Sequence, residues 1–136
     1  MNTLSSLQEQ FAALFPGLMG MELLEATSDR VVASLKVRPD LCTTGGVLHG
    51  GALMAFADTL GAVGTFMNLA EGARTTTIDS STKFIGAAPV GSTIRGECTA
   101  FHRGRTTMVW QTRISAESGK LVALVTQTQL VLPAVK

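Results

Sequence analysis

Residues 41–69 read LCTTGGVLHGGALMAFADTLGAVGTFMNL, and this stretch decides the fold. Asp58 is its only formally charged residue, and His49 and Cys42 are its only other titratable side chains. The stretch is long enough for a membrane span, but the Gly-Gly pairs at 45–46 and 50–51 and the polar residues argue against hydrocarbon surroundings. A segment with so little charge is therefore expected to be buried inside a soluble protein.

The part from about Gly50 to Asn68 predicts a helix that is apolar on every side, as in the core of a protein. Small side chains are frequent in this helix, so that a sheet could approach its backbone closely; they belong to Ala52, Ala55, Ala57, Gly61, Ala62 and Gly64. We therefore expect a sheet curled around one central helix.

The rest of the chain alternates between apolar and polar residues. This alternation predicts a half-buried strand between Asp29 and Arg38 and four more strands near 74–85, 92–102, 106–116 and 120–132. Short turn signals separate the last four, so these strands should be antiparallel neighbours. A short amphipathic helix, ended by Pro16-Gly17, is predicted from apolar residues at helical spacing, namely Leu4, Leu7, Phe11 and Leu14. The fold class expected is α+β.

The chain has 136 residues, 46% of them apolar and 15% charged, with a formal net charge of +1. This length suits one domain over residues 1–136. An average soluble protein has about 25% charged residues, so part of this surface is expected to be buried in an oligomer. A charge near neutral gives no one-signed field for binding nucleic acid or an anionic membrane, and neither partner is expected.

The beginning of the chain and the two cysteines favour a cytoplasmic location. The first cationic side chain is that of Arg30, so the beginning of the chain lacks the basic region of a secretory signal and the Arg-rich face of a transit peptide. Cys42 and Cys98 are far apart and match no C-x-x-C pattern, and a reducing compartment would keep them as thiols.

Asp58 is a lone carboxylate in the middle of the apolar helix. An ionised carboxylate without partners is costly in such surroundings, so its presence needs a reason. It could simply bond to a neighbouring strand or face water. We favour a catalytic role, because carboxylates in apolar surroundings concentrate at reactive sites.

His49 precedes Gly50-Gly51 at the start of the same helix. The first N–H groups of a helix have no partner within it, and the helix dipole favours negative charge there. The amides of Gly50 and Gly51 could therefore stabilise a developing oxyanion, such as that of a thioester carbonyl. The glycines could equally form a sharp turn, with His49 as a capping residue. His49 and Asp58 lie about 13 Å apart along the helix axis, so they would meet only across two subunits.

The segment His102-Arg103-Gly104-Arg105 places three potential cations on one predicted hairpin tip. Such a tip can hold a phosphate, or it can be a solvated turn. Other chemistries fail on spacing: the chain has no G-x-S-x-G elbow and no G-x-x-x-x-G-K-[ST] loop, and its two histidines and two cysteines match no metal-ligand pattern. We expect neither a metal nor a cofactor.

Residues 46–58, GVLHGGALMAFAD, resemble the signature of hotdog-fold acyl-CoA thioesterases, in the branch that contains the phenylacetate-degradation and 4-hydroxybenzoyl-CoA thioesterases. The resemblance covers nearly the whole chain, because residues 84–91 and the turn at 103–105 also look like that family. It implies a long central helix wrapped by a curved antiparallel sheet of five or six strands. It also implies dimers with a continuous sheet, or tetramers made of such dimers, with active sites at the dimer interface.

By position, the resemblance assigns the catalytic residues. Asp58 matches the acid that attacks the thioester or activates water, the Gly50 amide matches the donor that polarises the carbonyl, and His49 matches the histidine that supports this donor. Thr77 falls where relatives have a Ser or Thr that positions the water, and Thr76 is nearly as good a match.

The substrate-binding residues are assigned less directly. Thr43 stands where many relatives have Asn or Gln, and it cannot supply a side-chain amide. Gly51 leaves the approach to the helix open, and the phosphates of CoA would lie near Arg103, Arg105 or Arg74. The resemblance leaves open whether the acyl group is a small aryl group or a medium-length chain.

The function expected is therefore acyl-CoA thioester hydrolysis. A non-catalytic acyl-CoA sensor is the alternative, although a sensor needs no carboxylate beside an oxyanion donor and usually carries a DNA-binding segment. A dehydratase would share the fold but relies on a different Asp/His arrangement, which this chain lacks.

Overall fold

The computed structural model describes residues 4–135. It contains three helices, α1 (Leu4–Phe11), α2 (Phe15–Met19) and α3 (Gly50–Phe66), and a short 3-10 turn at Pro39–Leu41. The strands are β1 (Glu22–Ala26), β2 (Arg30–Lys36), β3 (Cys42–Thr43), β4 (Val47–Leu48), β5 (Arg74–Phe84), β6 (Thr93–Arg103), β7 (Thr107–Ala116) and β8 (Leu121–Leu132).

Six of the strands form one antiparallel sheet in the order β1-β2-β6-β7-β8-β5. Helix α3 packs against five of them, β2, β5, β6, β7 and β8. The strands β3 and β4 form a separate two-stranded hairpin just before α3. The predicted hotdog fold, a long helix wrapped by a curved antiparallel sheet, is confirmed.

Glycines let α3 and the sheet approach each other. A Cβ atom at Gly64 would lie 2.8 Å from Cη2 of Trp110, whose side chain is fully buried. On the opposite surface, a Cβ at Gly96 of β6 would lie 2.6 Å from the ring of Phe56. Since packed atoms do not come this close, the two glycines set the helix-to-sheet distance. The Trp110 Nε1–H donates to Oγ1 of Thr65 at 2.8 Å, so the indole is buried with its polar group paired.

Two parts of the chain differ from the sequence expectation. Pro16 lies in the first turn of a second helix, α2, where its missing N–H costs nothing. Helix α1 already ends at Phe11, before Pro16. Arg38 donates to the carbonyl oxygens of Leu18 and Met19, in α2, at 3.0 and 2.7 Å. The unpredicted strand β1 covers the outer edge of β2.

The stretch 41–69 is less completely buried than expected. Met54, on one face of α3, is 40% exposed, and the neighbouring Gly51 is exposed as well. Within residues 4–135, no helix is both long and apolar enough to cross a membrane.

Candidate active site

The N-terminus of α3 carries one open backbone donor. His49 caps the helix, and its Nδ1 accepts the Gly51 N–H at 2.8 Å. The neutral imidazole therefore carries its proton on Nε2. The Gly50 N–H has no acceptor within residues 4–135. The amide of Gly51 is thus engaged by the cap, and that of Gly50 remains available to a ligand.

Phe84 closes one side of this helix terminus. A Cβ at Gly50 would lie 3.0 Å from Cε1 of the Phe84 ring, so a larger residue at position 50 would push the ring away. The ring itself is 57% exposed. An aromatic side chain at the end of β5 therefore lies beside the open amide of α3.

Asp58 lies half-buried in the middle of α3, facing β5 and β8. Its Oδ1 accepts the Thr77 hydroxyl at 2.5 Å and, more weakly, Nε2 of Gln127 at 3.4 Å. Gln127 Nε2 also donates to the backbone carbonyl of Asp58 at 3.2 Å. No hydrogen bond to Oδ2 is found within the described residues. One carboxylate oxygen is therefore held by the sheet, and the other is free to react.

On strand β5, Thr77 and not Thr76 makes this contact with Asp58. Thr75 and Thr77 are half-buried, whereas Thr76 between them is exposed. Directly after Thr77 the pairing with β8 shifts, leaving Ile78 opposite no residue. Such bulges are common beside active sites, where they change the direction of a side chain.

A second row of polar side chains stands behind Thr77. Gln127 and Gln129 of β8 are fully buried, and Gln127 Nε2 donates to Gln129 Oε1 at 3.1 Å. The Thr77 oxygen lies 2.5 Å from Gln129 Oε1, and Gln129 Nε2 donates to the Thr75 hydroxyl at 3.1 Å. Neither glutamine was predicted as a site residue from the sequence. The signal was present, because they occupy alternate, inward-facing positions of a strand that is otherwise apolar on that side.

His49 and Asp58 are not brought together within one chain. They belong to the cap and the middle of the same helix, about 13 Å apart along its axis. A reacting carbonyl bound to the Gly50 amide is therefore out of reach of Asp58 in the same protomer.

The basic residues lie at the opposite end of the molecule from His49. Arg103 is bound to the β1–β2 turn, donating to Asp29 Oδ1 at 2.6 Å and to the Ser28 carbonyl at 3.2 Å. Arg105 and Arg74 are exposed and lie at the same end of the sheet, since the start of β5 and the β6–β7 turn both adjoin the end of β8. Thr43 is exposed in the hairpin before α3.

Two apolar cavities flank α3. One, of about 360 Å³, lies beside His49 and Gly51 and is walled by Phe15, Leu18 and Met19 of the α2 region. The other, of about 240 Å³, lies between α1 and α3 and is lined by Leu7, Phe11, Thr59, Ala62, Phe66 and Thr75 among others. Thr59, the residue after Asp58 in the chain, lines this second cavity. Residues 4–135 contain no cluster of three or more His, Cys, Asp or Glu that could hold a metal ion.

Comparison with known proteins identifies the family of the chain. The sequence profile of the Thioesterase superfamily matches residues 45–123, which include the α3 cap, Asp58 and Thr77. The chain is similar to the proofreading thioesterase EntH of Cronobacter sakazakii, with 31% identity over 102 residues that cover 75% of this chain and 69% of that protein.

Solved structures show the same architecture. A thioesterase of Haemophilus influenzae superposes with a TM-score of 0.93 at 26% identity, covering 100% of this chain and 94% of that chain. A protein of Streptococcus mutans bound to acetyl CoA shares the fold, with a TM-score of 0.78 at 22% identity over 85% of this chain and 91% of that one. The family match covers more than half of the chain, and the chain therefore belongs to the thioesterase superfamily, as a thioester hydrolase.

Proposed function

We propose that the protein hydrolyses a small aryl- or medium-chain acyl-CoA to the free acid and CoA. The observation that carries the proposal is the state of Asp58, whose Oδ1 is tied to Thr77 while Oδ2 has no partner among residues 4–135. A carboxylate held in this way is suited to act as a base or a nucleophile, since it is oriented but not fully neutralised by its neighbours.

The open Gly50 amide supplies the second half of the chemistry. In the general-base route, Asp58 takes a proton from water as the water oxygen attacks the thioester carbonyl carbon. The carbonyl electron pair moves to its oxygen, where the Gly50 N–H and the helix dipole stabilise the negative charge. The C–S bond then breaks and the proton passes to the thiolate. In the nucleophilic route, a carboxylate oxygen of Asp58 attacks the carbonyl carbon, and the C–S bond breaks to release the CoA thiolate and leave a mixed anhydride. Water then cleaves the anhydride to give the free acid and regenerate Asp58, and the proton that the water loses passes to the thiolate.

Either route requires two protomers, because Gly50 and Asp58 are too far apart within one. The edge strand β5 pairs only with β8 in the described chain, so its outer backbone groups are free to bind a second copy. Apolar side chains are exposed along or near this strand, namely Met54, Ile78, Phe84 and Ile85. We infer a homodimer with a continuous sheet through β5, or a tetramer of such dimers.

If the α3 helices of two subunits pair antiparallel, the basic residues of one subunit lie near the active site of the other. Arg74 and the Arg105 turn lie at the end of the sheet opposite to their own Gly50, and hence beside the Gly50 of a partner subunit. They would bind the CoA phosphates through charge-assisted hydrogen bonds. The fold itself accommodates such a ligand, because the Streptococcus mutans protein is bound to acetyl CoA.

The acyl group would enter the 240 Å³ cavity between α1 and α3. Its walls are mostly apolar, and they include Thr59, the residue that follows Asp58. A CoA thioester as substrate favours a cytoplasmic location, and the unpaired thiols of Cys42 and Cys98 are consistent with a reducing compartment. A sensor of acyl-CoA would use the same cavities but would have no use for the free oxygen of Asp58.

The test is release of free thiol from a panel of acyl-CoAs, followed with DTNB. The expected result is turnover on aryl or medium-chain substrates, and binding without turnover on all of them would support the sensor instead. The shared site has its own test, in which inactive Asp58→Asn protein is mixed with a variant inactivated at the Gly50 loop. Mixed dimers contain one intact site and should regain activity. Demonstrated subunit exchange without any return of activity would exclude a shared site.

A further inference from the structure

We propose that Gln127 and Gln129 of β8 are positioning residues for the thioester reaction, which hold Asp58 so that Oδ2 faces the substrate. The inference rests on the proposed function and concerns residues that lie outside the contacts with substrate.

The glutamine pair binds Asp58 at two points. Gln127 reaches its backbone carbonyl at 3.2 Å and its Oδ1 at 3.4 Å. Gln129 acts through Thr77, because its Oε1 lies 2.5 Å from the same hydroxyl that contacts Asp58 Oδ1 at 2.5 Å. The Thr77 hydroxyl has one proton, so it donates to only one of these two acceptors at a time, and both lie within its reach. Rotation of the carboxylate would break its contacts with Thr77 and Gln127, and a change of the Thr77 rotamer would break its contact with Asp58.

The pair also has a cost in stability. Both side chains are completely buried, and Oε1 of Gln127 has no hydrogen-bond partner among the described residues. Buried acceptors are normally paired, so an unpaired one needs an explanation. An apolar residue of the same shape would avoid this loss.

The helix makes room for the pair as well. A Cβ at Gly61 would overlap the amide of Gln127, so α3 has glycine there, the poorest helix former after proline. Gly61 lies three residues beyond Asp58, almost one turn along the helix. The fold thus accepts a weak helix position and an unpaired buried oxygen at the same place, directly behind the carboxylate.

A purely structural role and a positioning role predict different results for the variant Gln127→Met/Gln129→Met. Methionine approximates the shape of glutamine without its polar atoms. If the pair positions Asp58, kcat should fall about tenfold, the equivalent of one hydrogen bond at the transition state, with KM and Tm unchanged or Tm raised. If the pair only supports the fold, Tm should fall and kcat should stay the same.

The matched control is Thr65→Val, which removes the buried partner of the Trp110 indole far from Asp58. It should lower Tm without changing kcat. The decisive comparison repeats the double substitution in Asp58→Asn protein, where it should have no further effect on kcat. An equal further loss there would show that the glutamines act elsewhere and would overturn the proposal.

Other outcomes are equally informative. Unchanged kcat in the double variant, with kcat lowered by Asp58→Asn alone, would refute the positioning role and leave the proposed function standing. Normal kcat in Asp58→Asn itself would refute both. Should the double variant fail to fold, Gln127→Met alone is judged by the same criteria, since it removes the unpaired oxygen together with the two contacts to Asp58.

Discussion

Replacing Asp58 with asparagine separates the chemical role of the carboxylate from its structural role. The asparagine Oδ1 can still accept the Thr77 hydroxyl, which lies 2.5 Å from the aspartate oxygen in the wild-type chain. The contact of Gln127 with the backbone carbonyl of residue 58 involves no side-chain charge and is also kept. The variant should therefore fold and bind CoA as the wild type does.

The expected magnitudes differ between stability and activity. A hydrogen bond to a charged group becomes a neutral one, which costs about 1 kcal/mol of unfolding free energy. Loss of a general base or nucleophile should lower kcat at least about a hundredfold, or roughly 2.7 kcal/mol in activation free energy. The fall in activity must therefore exceed anything that the change in stability could cause.

The assay is continuous DTNB detection of CoA release on the best substrate of the panel, with thermal unfolding measured on the same samples. Glu71→Gln is the matched control, because it removes one carboxylate charge from the exposed turn between α3 and β5. The control should keep wild-type kcat and KM. Near-normal kcat in Asp58→Asn would refute the mechanism, and equal losses in both variants would indicate an effect of net charge alone.

Three further predictions concern other parts of the molecule. Arg105→Ala should raise KM for acyl-CoA with little change in kcat, and should leave hydrolysis of an acyl-N-acetylcysteamine unchanged; equal effects on both substrates would exclude a phosphate contact. Gly64→Ala should lower Tm although alanine is the better helix former by about 1 kcal/mol, because its Cβ would lie 2.8 Å from the buried Trp110 ring; an unchanged or higher Tm would show that the ring can move. Burial raises the pKa of the Cys98 thiol from 9.0 to about 12, against a smaller lowering effect of Thr112, so native protein at pH 8 should react with one DTNB equivalent at Cys42 and unfolded protein with two. The contribution of the protonated Cys98 to stability should be complete below pH 9.0 and be lost as the pH rises toward 12, which denaturant titrations at several pH values would detect.

Much of the fold was predictable because the apolar residues that become buried recur at a regular spacing along the chain. Strands buried on one side, such as β6 and β7, show the alternation that predicts them. Helix α3 is too apolar to lie anywhere but against the sheet. The short helix α2 was not predictable in this way. Its last carbonyl groups are bound by Arg38, about 20 residues away, and local pattern contains no information on such a contact.

The site was predictable where a residue differs in chemistry from its surroundings. Asp58 and His49 stood out in an apolar stretch, and Gly50 followed from its place at a helix start. The two glutamines of β8 were missed because polar residues in an alternating strand suggest a surface, whereas here they face inward. The contact between Arg103 and Asp29 was missed for another reason, since 74 residues separate the two in sequence.

The walls of the cavity proposed for the acyl group come from two parts of the chain, and only one of these parts matches the family. Leu7 and Phe11 of α1 form one wall, and they lie outside residues 45–123, which match the family. Asp58, Thr77 and the Gly50 amide all lie inside that range. Substitutions in α1 can therefore enlarge or shorten the cavity without touching a reacting group. Substrate range in such a protein can evolve separately from the bond-breaking chemistry, so that duplicated copies could acquire different acyl preferences while keeping one mechanism.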